Sequence, residues 1–207
     1  MRVTNRHLLF IFLMTTGFFI SCQKEVDGLI TAGPVIPVNQ KPRVGTIWTY
    51  RYYTYNIDGS LHSTETCIHK AQSEEIIAGE KWLKIVNVAM DTVVYLLNAK
   101  TGGLFQYTNN NSFLLCKYPA MLNDLYPTFN EGSTENFSVK GVNDTLPTGI
   151  GDVPANYYEG VKGIQLIDLI WYNDHAWIVR KTQYRNRSQL TPFYFKYYTY
   201  FLDRIVY

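Results

Sequence analysis

From residue 42 onward the chain is a succession of short β-branched and aromatic runs, each ended within a few residues by a turn signal. Connections that short can join antiparallel neighbours, but they cannot hold the helical crossover that a parallel pair needs. Thr46–Tyr55 is such a run, Asn56-Ile57-Asp58-Gly59 supplies a hairpin turn, and Leu61–Lys70 returns. Lys81–Val88, Thr92–Leu97, Leu104–Tyr107 and Ser112–Cys116 follow, with further runs near 136–142, 156–161, 164–172, 176–185 and 193–206. The expectation is an all-β, mainly antiparallel domain: a curved sheet or half-barrel of about eleven strands with little helix. Tyrosine, 17 of 207 residues, suits pleated surfaces. A chain that is 46% apolar and 17% charged is neither disordered nor a coiled coil.

Helix has room only at Ala120–Leu125, between Pro119 and Pro127, where a turn or two is expected. Tyr126–Ala155 is rich in glycine and proline and reads as the least regular part of the body. Arg51-Tyr-Tyr-Thr-Tyr55 and Lys196-Tyr-Tyr-Thr-Tyr200 echo one another. In so tyrosine-rich a chain the echo reads as coincidence rather than as pairing of first and last strands, although such pairing would close the sheet with tyrosine–threonine ladders. Ile164–Tyr172 is apolar on both faces, so that strand needs two covers: the sheet curled upon itself, or a ligand in its concavity.

The amino terminus is an address. Arg2, Arg6 and His7 precede a 13-residue apolar run, Leu8–Ile20, too short for a permanent span of about 20 residues. Phe19-Ile20-Ser21-Cys22 resembles the lipobox of bacterial lipoproteins, although Phe19 stands where leucine is usual. The resemblance implies a diacylglyceryl group on the Cys22 thiol and cleavage before it, and two or more acyl chains make such an anchor stable. The expected organisation is a signal peptide at 1–21, a lipidated cysteine and flexible tether at 22–41, and a single β domain at 42–207. Gln23-Lys24-Glu25 is similar to the surface-export signal of Bacteroidota lipoproteins, and the absence of Asp after Cys22 fits transfer to the outer membrane. Of 19 basic residues the signal takes two, leaving 17 against 17 acidic. No basic footprint remains for nucleic acid, and the membrane partner is reached through the lipid rather than by charge.

Within the body, Val44-Gly45-Thr46-Ile47-Trp48-Thr49-Tyr50, Gly79-Glu80-Lys81-Trp82, Gly103-Leu104-Phe105, Val153-Pro154-Ala155-Asn156 and Trp171-Tyr172 through Val179-Arg180 follow in an order that resembles secreted Bacteroidota lipoproteins of unknown function. Asn156, and His175-Ala176-Trp177, stand where those proteins usually have glycine. Such proteins are similar to the LolA/LolB-like lipoprotein carriers. That resemblance implies an incomplete antiparallel barrel with acyl chains in its concave face; it implies a function only by analogy.

Catalytic signals are weak. Cys67 and His69 share a strand face, half of a metal site or of a thiol–imidazole pair, but no second cluster accompanies them, so neither metal nor cofactor is expected. Cys67 and Cys116 are left either as a disulfide closing a loop of about 48 residues, worth about 4 kcal/mol by chain entropy, or as two free thiols. Asp168 interrupts an apolar run and reads as an aspartate at a bulge or paired with Arg180 or Lys162, rather than as an acid–base group. Asp174-His175 lies in a turn without a nucleophile elbow, and Gly149-Ile150-Gly151 lacks the third glycine of a phosphate loop.

The leading expectation is a non-catalytic outer-membrane lipoprotein that binds an apolar small molecule or acyl chain, lined by Trp48, Trp82, Leu169, Trp171 and Trp177. A surface glycan- or protein-binding module built on tyrosines comes second, and a hydrolase third. Replacing Cys22 by alanine is expected to abolish metabolic palmitate labelling of the protein on a gel; undiminished labelling would remove the anchor from the account.

Overall fold

The computed structural model describes residues 36–37, 39–130, 132–186 and 194–207. The expected signal segment, Cys22 and most of the tether lie outside the described residues. The strands are β1 (Ile47–Tyr55), β2 (Leu61–Ile77), β3 (Glu80–Asn87), β4 (Thr92–Lys100), β5 (Gly102–Thr108), β6 (Asn111–Tyr118), β7 (Leu125–Asn130), β8 (Ser133–Thr148), β9 (Gly151–Lys162), β10 (Gln165–Asn173), β11 (Trp177–Asn186) and β12 (Tyr194–Val206). No helix occurs among the described residues. All twelve strands form one antiparallel sheet in the order β6-β5-β4-β3-β2-β1-β12-β11-β10-β9-β8-β7. Two six-stranded meanders are thus joined where the first strand pairs with the last, and the sheet rolls into a nearly closed barrel.

The tyrosine echo is therefore a pairing signal and not a coincidence. Tyr52 faces Tyr200, Tyr53 faces Thr199 and Thr54 faces Tyr198 across the β1–β12 ladder. Alternation sends Tyr50, Tyr52, Tyr198 and Tyr200 into the barrel, where the Tyr50 and Tyr200 rings lie 4.7 Å apart and those of Tyr52 and Tyr198 5.1 Å apart. Tyr53 and Phe201 point outward and meet edge-on at 5.8 Å.

The seam lies between β6 and β7, consecutive in the chain yet at opposite edges of the sheet. Side chains do there what a backbone ladder does elsewhere. The Tyr126 hydroxyl donates to Leu115 O at 3.0 Å and accepts from the Lys117 N–H at 3.4 Å, and Tyr158 donates to Lys117 O at 2.6 Å. Lys117 also pairs with Asp124 at 2.9 Å, and Phe113 stacks on Phe129 across the gap at 5.3 Å.

Two stretches differ from the sequence expectation. Ala120–Leu125 forms no helix, and the irregular stretch after it contains nearly all of β7, the whole of β8 and the start of β9. Pro127 is tolerated because β7 is an edge strand, where a missing N–H interrupts no ladder on the seam side. Strand β8 continues through its glycine by changing register between Val139 and Gly141 and again between Gly141 and Asp144. Its hairpin with β9 bends back far enough for the Gly149 N–H to donate to Leu202 O of β12 at 3.0 Å.

Asp168 sits at the register shift between Leu166 and Asp168, as the bulge reading required, but its partner is neither Arg180 nor Lys162. It is fully buried and lies 3.7 Å from the Nζ of Lys181, which is buried as well. Arg180, one residue earlier on β11, points to the other face. Gly160 is needed beside this pair: a Cβ there would come within 2.5 Å of the Glu135 carboxylate and of the Phe137 ring. Cys67 and Cys116 are both free thiols. The disulfide expected as one alternative does not form, because β2 and β6 are four strand spacings apart, about 19 Å along the sheet.

Tyr126→Phe strips the seam of its hydroxyl while keeping the ring. Loss of about 1–2 kcal/mol in urea unfolding is expected, with an unchanged denaturant slope; an unaltered midpoint would mean that the seam does not depend on this group.

Candidate functional site

Four strands and a turn converge on an open cleft of about 440 Å³ at the end of the barrel holding the β1–β2 and β3–β4 turns. Strands β1 and β12 contribute Tyr52, Tyr198 and Tyr200; β2 contributes Glu65, Cys67 and His69; β4 contributes Val93 and Tyr95; the turn after β3 supplies Met90 as a rim. The alternation of β2 is what delivers Glu65, Cys67 and His69 to one face, so the shared face expected for Cys67 and His69 is where the structure has them. Asn87 donates to the Cys67 sulfur at 3.3 Å and ties β3 to this wall. The Tyr95 and Tyr200 hydroxyls meet at 3.3 Å, bridging the cleft from β4 to β12. Met90 and Val93 are largely exposed, giving the mouth an apolar lip.

Burial decides the protonation states. It pushes the Tyr50, Tyr52 and Tyr200 phenols up, so all three stay un-ionised. Burial, reinforced by Glu65, likewise raises the Cys67 thiol, and burial alone lowers His69 to about 4. A thiolate–imidazolium nucleophile needs the opposite shifts. Apart from the exposed Glu65 carboxylate at the mouth, the walls therefore present neutral hydrogen-bonding groups around apolar surface. Among the described residues no group of three or more His, Cys, Asp or Glu could hold a metal ion.

Beneath the cleft the barrel is packed. Trp48, Tyr50, Ile85, Leu97, Trp177 and Ile178 leave a gap of about 20 Å³, on the order of one water. Trp48 and Trp177 stack at 6.0 Å, and the Trp48 indole donates to Ala176 O at 2.9 Å. Trp177 adopts φ +66°, a left-handed conformation at one of the positions where the lipoprotein resemblance expects glycine. Asn173 accepts the N–H groups of His175 and Ala176 and shapes the turn that precedes it.

Of the five residues expected to line a ligand, Trp48 and Trp177 come together in this packed floor, and the other three lie elsewhere. Trp82 is buried on the outer face against Tyr107, with the Lys100 ammonium 5.4 Å from its ring. Leu169 and Trp171 alternate with the inward Asp168 and Ile170 and so also face outward, Trp171 stacked on Tyr157 at 4.5 Å. Asp174 and His175 hold the segment leading into β1 through Lys41 at 2.8 Å and Gln40 O at 3.1 Å. The cleft residues missed from the sequence are Tyr95 and the tyrosines of the echo; reading the echo as a strand pair would have put Tyr52, Tyr198 and Tyr200 on one inner face.

No family model matches the chain, and no curated protein matches it. Among solved structures it is similar to a protein from Bacteroides fragilis described as a proposed exported protein with a YmcC-like fold. The two share 13% identity and align with a TM-score of 0.44 over 81% of this chain and 98% of that one.

The depressed His69 value has a sign that can be tested. An unfolded histidine takes up its proton near pH 6.5, the folded one near pH 4. The unfolded state binds more protons between those values, so stability contributed by neutral His69 is lost as pH falls from 6.5 toward 4, by up to about 3 kcal/mol. The difference in unfolding free energy between wild type and His69→Gln should show that slope; a difference independent of pH would contradict the burial argument.

Proposed function

We propose that the protein is an exported, lipid-anchored outer-membrane lipoprotein whose barrel binds a compact apolar or lipid-like molecule without catalysis. The observation that carries this reading is the tyrosine-lined cleft of about 440 Å³, within the range of roughly 300–1,000 Å³ typical of small-molecule sites. The anchor rests on the lipobox-like Phe19-Ile20-Ser21-Cys22.

The chemistry of the walls defines the occupant. Phenols, a thiol and an amide can hydrogen-bond a hydroxyl or carbonyl at one end of a ligand, while the Met90 and Val93 lip accepts an apolar body. The packed floor bars an extended chain from the barrel axis, so the ligand is compact or leaves its tail at the mouth. The opposed shifts of Cys67 and His69 speak for binding rather than nucleophilic chemistry.

The test uses N-phenyl-1-naphthylamine, a neutral apolar fluorophore, titrated into the full chain. Saturable binding is expected, weakened about tenfold or more by Cys67→Trp, which fills the cleft. Equal affinity in wild type and variant would contradict the assignment, as would an absence of binding.

A further inference from the structure

The outer face of the same sheet carries a second arrangement, independent of the cleft. Tyr157, Trp171, Arg180 and Phe201 stand directly opposite one another on β9, β10, β11 and β12. The guanidinium carbon of Arg180 lies 4.3 Å from the Trp171 ring centroid and 4.5 Å from that of Phe201, so two rings enclose the cation. Tyr157 extends the stack beyond Trp171, its ring tilted by 12°. Arg51, next in the row on β1, has its own carboxylate in Asp203 at 2.8 Å. Arg180 has none: among the described residues it makes no ion pair, and its Nε is buried without a hydrogen-bond partner. Lys196, over the Tyr55 ring at 4.4 Å, likewise forms no ion pair among them.

A half-desolvated guanidinium without a carboxylate is costly, and the burial that lowers the Arg180 pKa expresses that cost. The same features suit it for recognition. Its planar donors match a carboxylate in fork geometry, and rings on both sides fix its orientation before any ligand arrives. Around it stand groups that match hydroxyl-rich surfaces. The Tyr157, Tyr55 and Tyr184 phenols lie close enough to influence the guanidinium electrostatically, and the Tyr157 hydroxyl donates to the Glu159 carboxylate at 2.6 Å, which leaves Tyr55 and Tyr184 as the phenols open to a ligand. A groove of about 320 Å³ runs beside Phe201 and Tyr53, under the hairpin tip at Pro147–Gly149.

We infer that this outer row is a binding site for an acidic oligosaccharide, with Arg180 receiving a uronate carboxylate, Lys196 a second anionic group, and Tyr55, Tyr184 and the groove the neighbouring sugar hydroxyls. An acidic peptide would find the same cation, but its apolar side chains would not use a rim of phenol hydroxyls. Nothing in this inference depends on the cleft being occupied.

Oligogalacturonate titrated into the full chain tests it, with calorimetry and tryptophan fluorescence as readouts. Trp48, Trp82 and Trp177 are buried while Trp171 is partly exposed, so protection from aqueous acrylamide reports on this row. Saturable binding is expected that weakens with salt, with about tenfold loss in Arg180→Met and a smaller loss in Arg180→Lys, which keeps the charge but not the fork. An unchanged circular dichroism spectrum and thermal midpoint would show that these variants fold; should Arg180→Met not fold, Lys196→Met carries the same expectation of weakened binding. A neutral galactose oligomer binding as tightly, poly-L-glutamate binding more tightly, or an affinity indifferent to both Arg180→Lys and Lys196→Met would each overturn the assignment.

Discussion

The pairing of the first strand with the last is the constraint on which the rest of the molecule depends. Each half of the chain is a six-stranded meander with two open edges, and the β1–β12 ladder removes one edge from each. The two that remain, β6 and β7, are then brought together, and tyrosine hydroxyls take over the hydrogen bonds that no further strand supplies. The cleft spans this junction, since Tyr52 belongs to β1, Tyr198 and Tyr200 to β12, and Tyr95 reaches across from β4. The outer cation-and-ring row runs through it too, from Trp171 to Arg51.

Strand alternation separates the two sites. Consecutive residues of β11 show it most directly: Lys181 turns inward to Asp168, while Arg180 turns outward between Trp171 and Phe201. The inner cation is matched by a carboxylate inside the barrel; the outer one is held by rings and makes no ion pair among the described residues. The same contrast appears on β1 and β12, whose inward tyrosines pack the barrel while Tyr53 and Phe201 face out. A strand apolar on both sides thus meets two environments, which is how this sheet answers the need for two covers.

Much of the fold was legible because period-two patterns and turn residues are local. The antiparallel order, the β1–β2 hairpin at Asn56–Ser60 and the bulge at Asp168 could all be read from short windows. Strand β7 could not, because Pro127 argues against a strand unless its edge position is known. Nor could the lining of the cleft. Trp82 and Trp171 were sensible choices by size and apolarity, but which face of a strand turns inward depends on partners far away in sequence. Register shifts such as those between Ile85 and Val86 and between Trp171 and Tyr172 move the pattern by one residue. The tyrosine echo did contain the long-range information, in a composition where repetition carries little weight by itself. Arg180 gave no signal at all, since the role proposed for it rests on its having no carboxylate partner among the described residues.

The measurement closest to the centre of the account is a set of backbone nuclear Overhauser contacts between β1 and β12 in the isotope-labelled chain. Cross-strand contacts linking Tyr52 with Tyr200 and Tyr53 with Thr199, together with slowly exchanging amides along both strands, are the predicted result. Their absence, with the two meanders exchanging as separate units, would contradict the closure from which both sites follow.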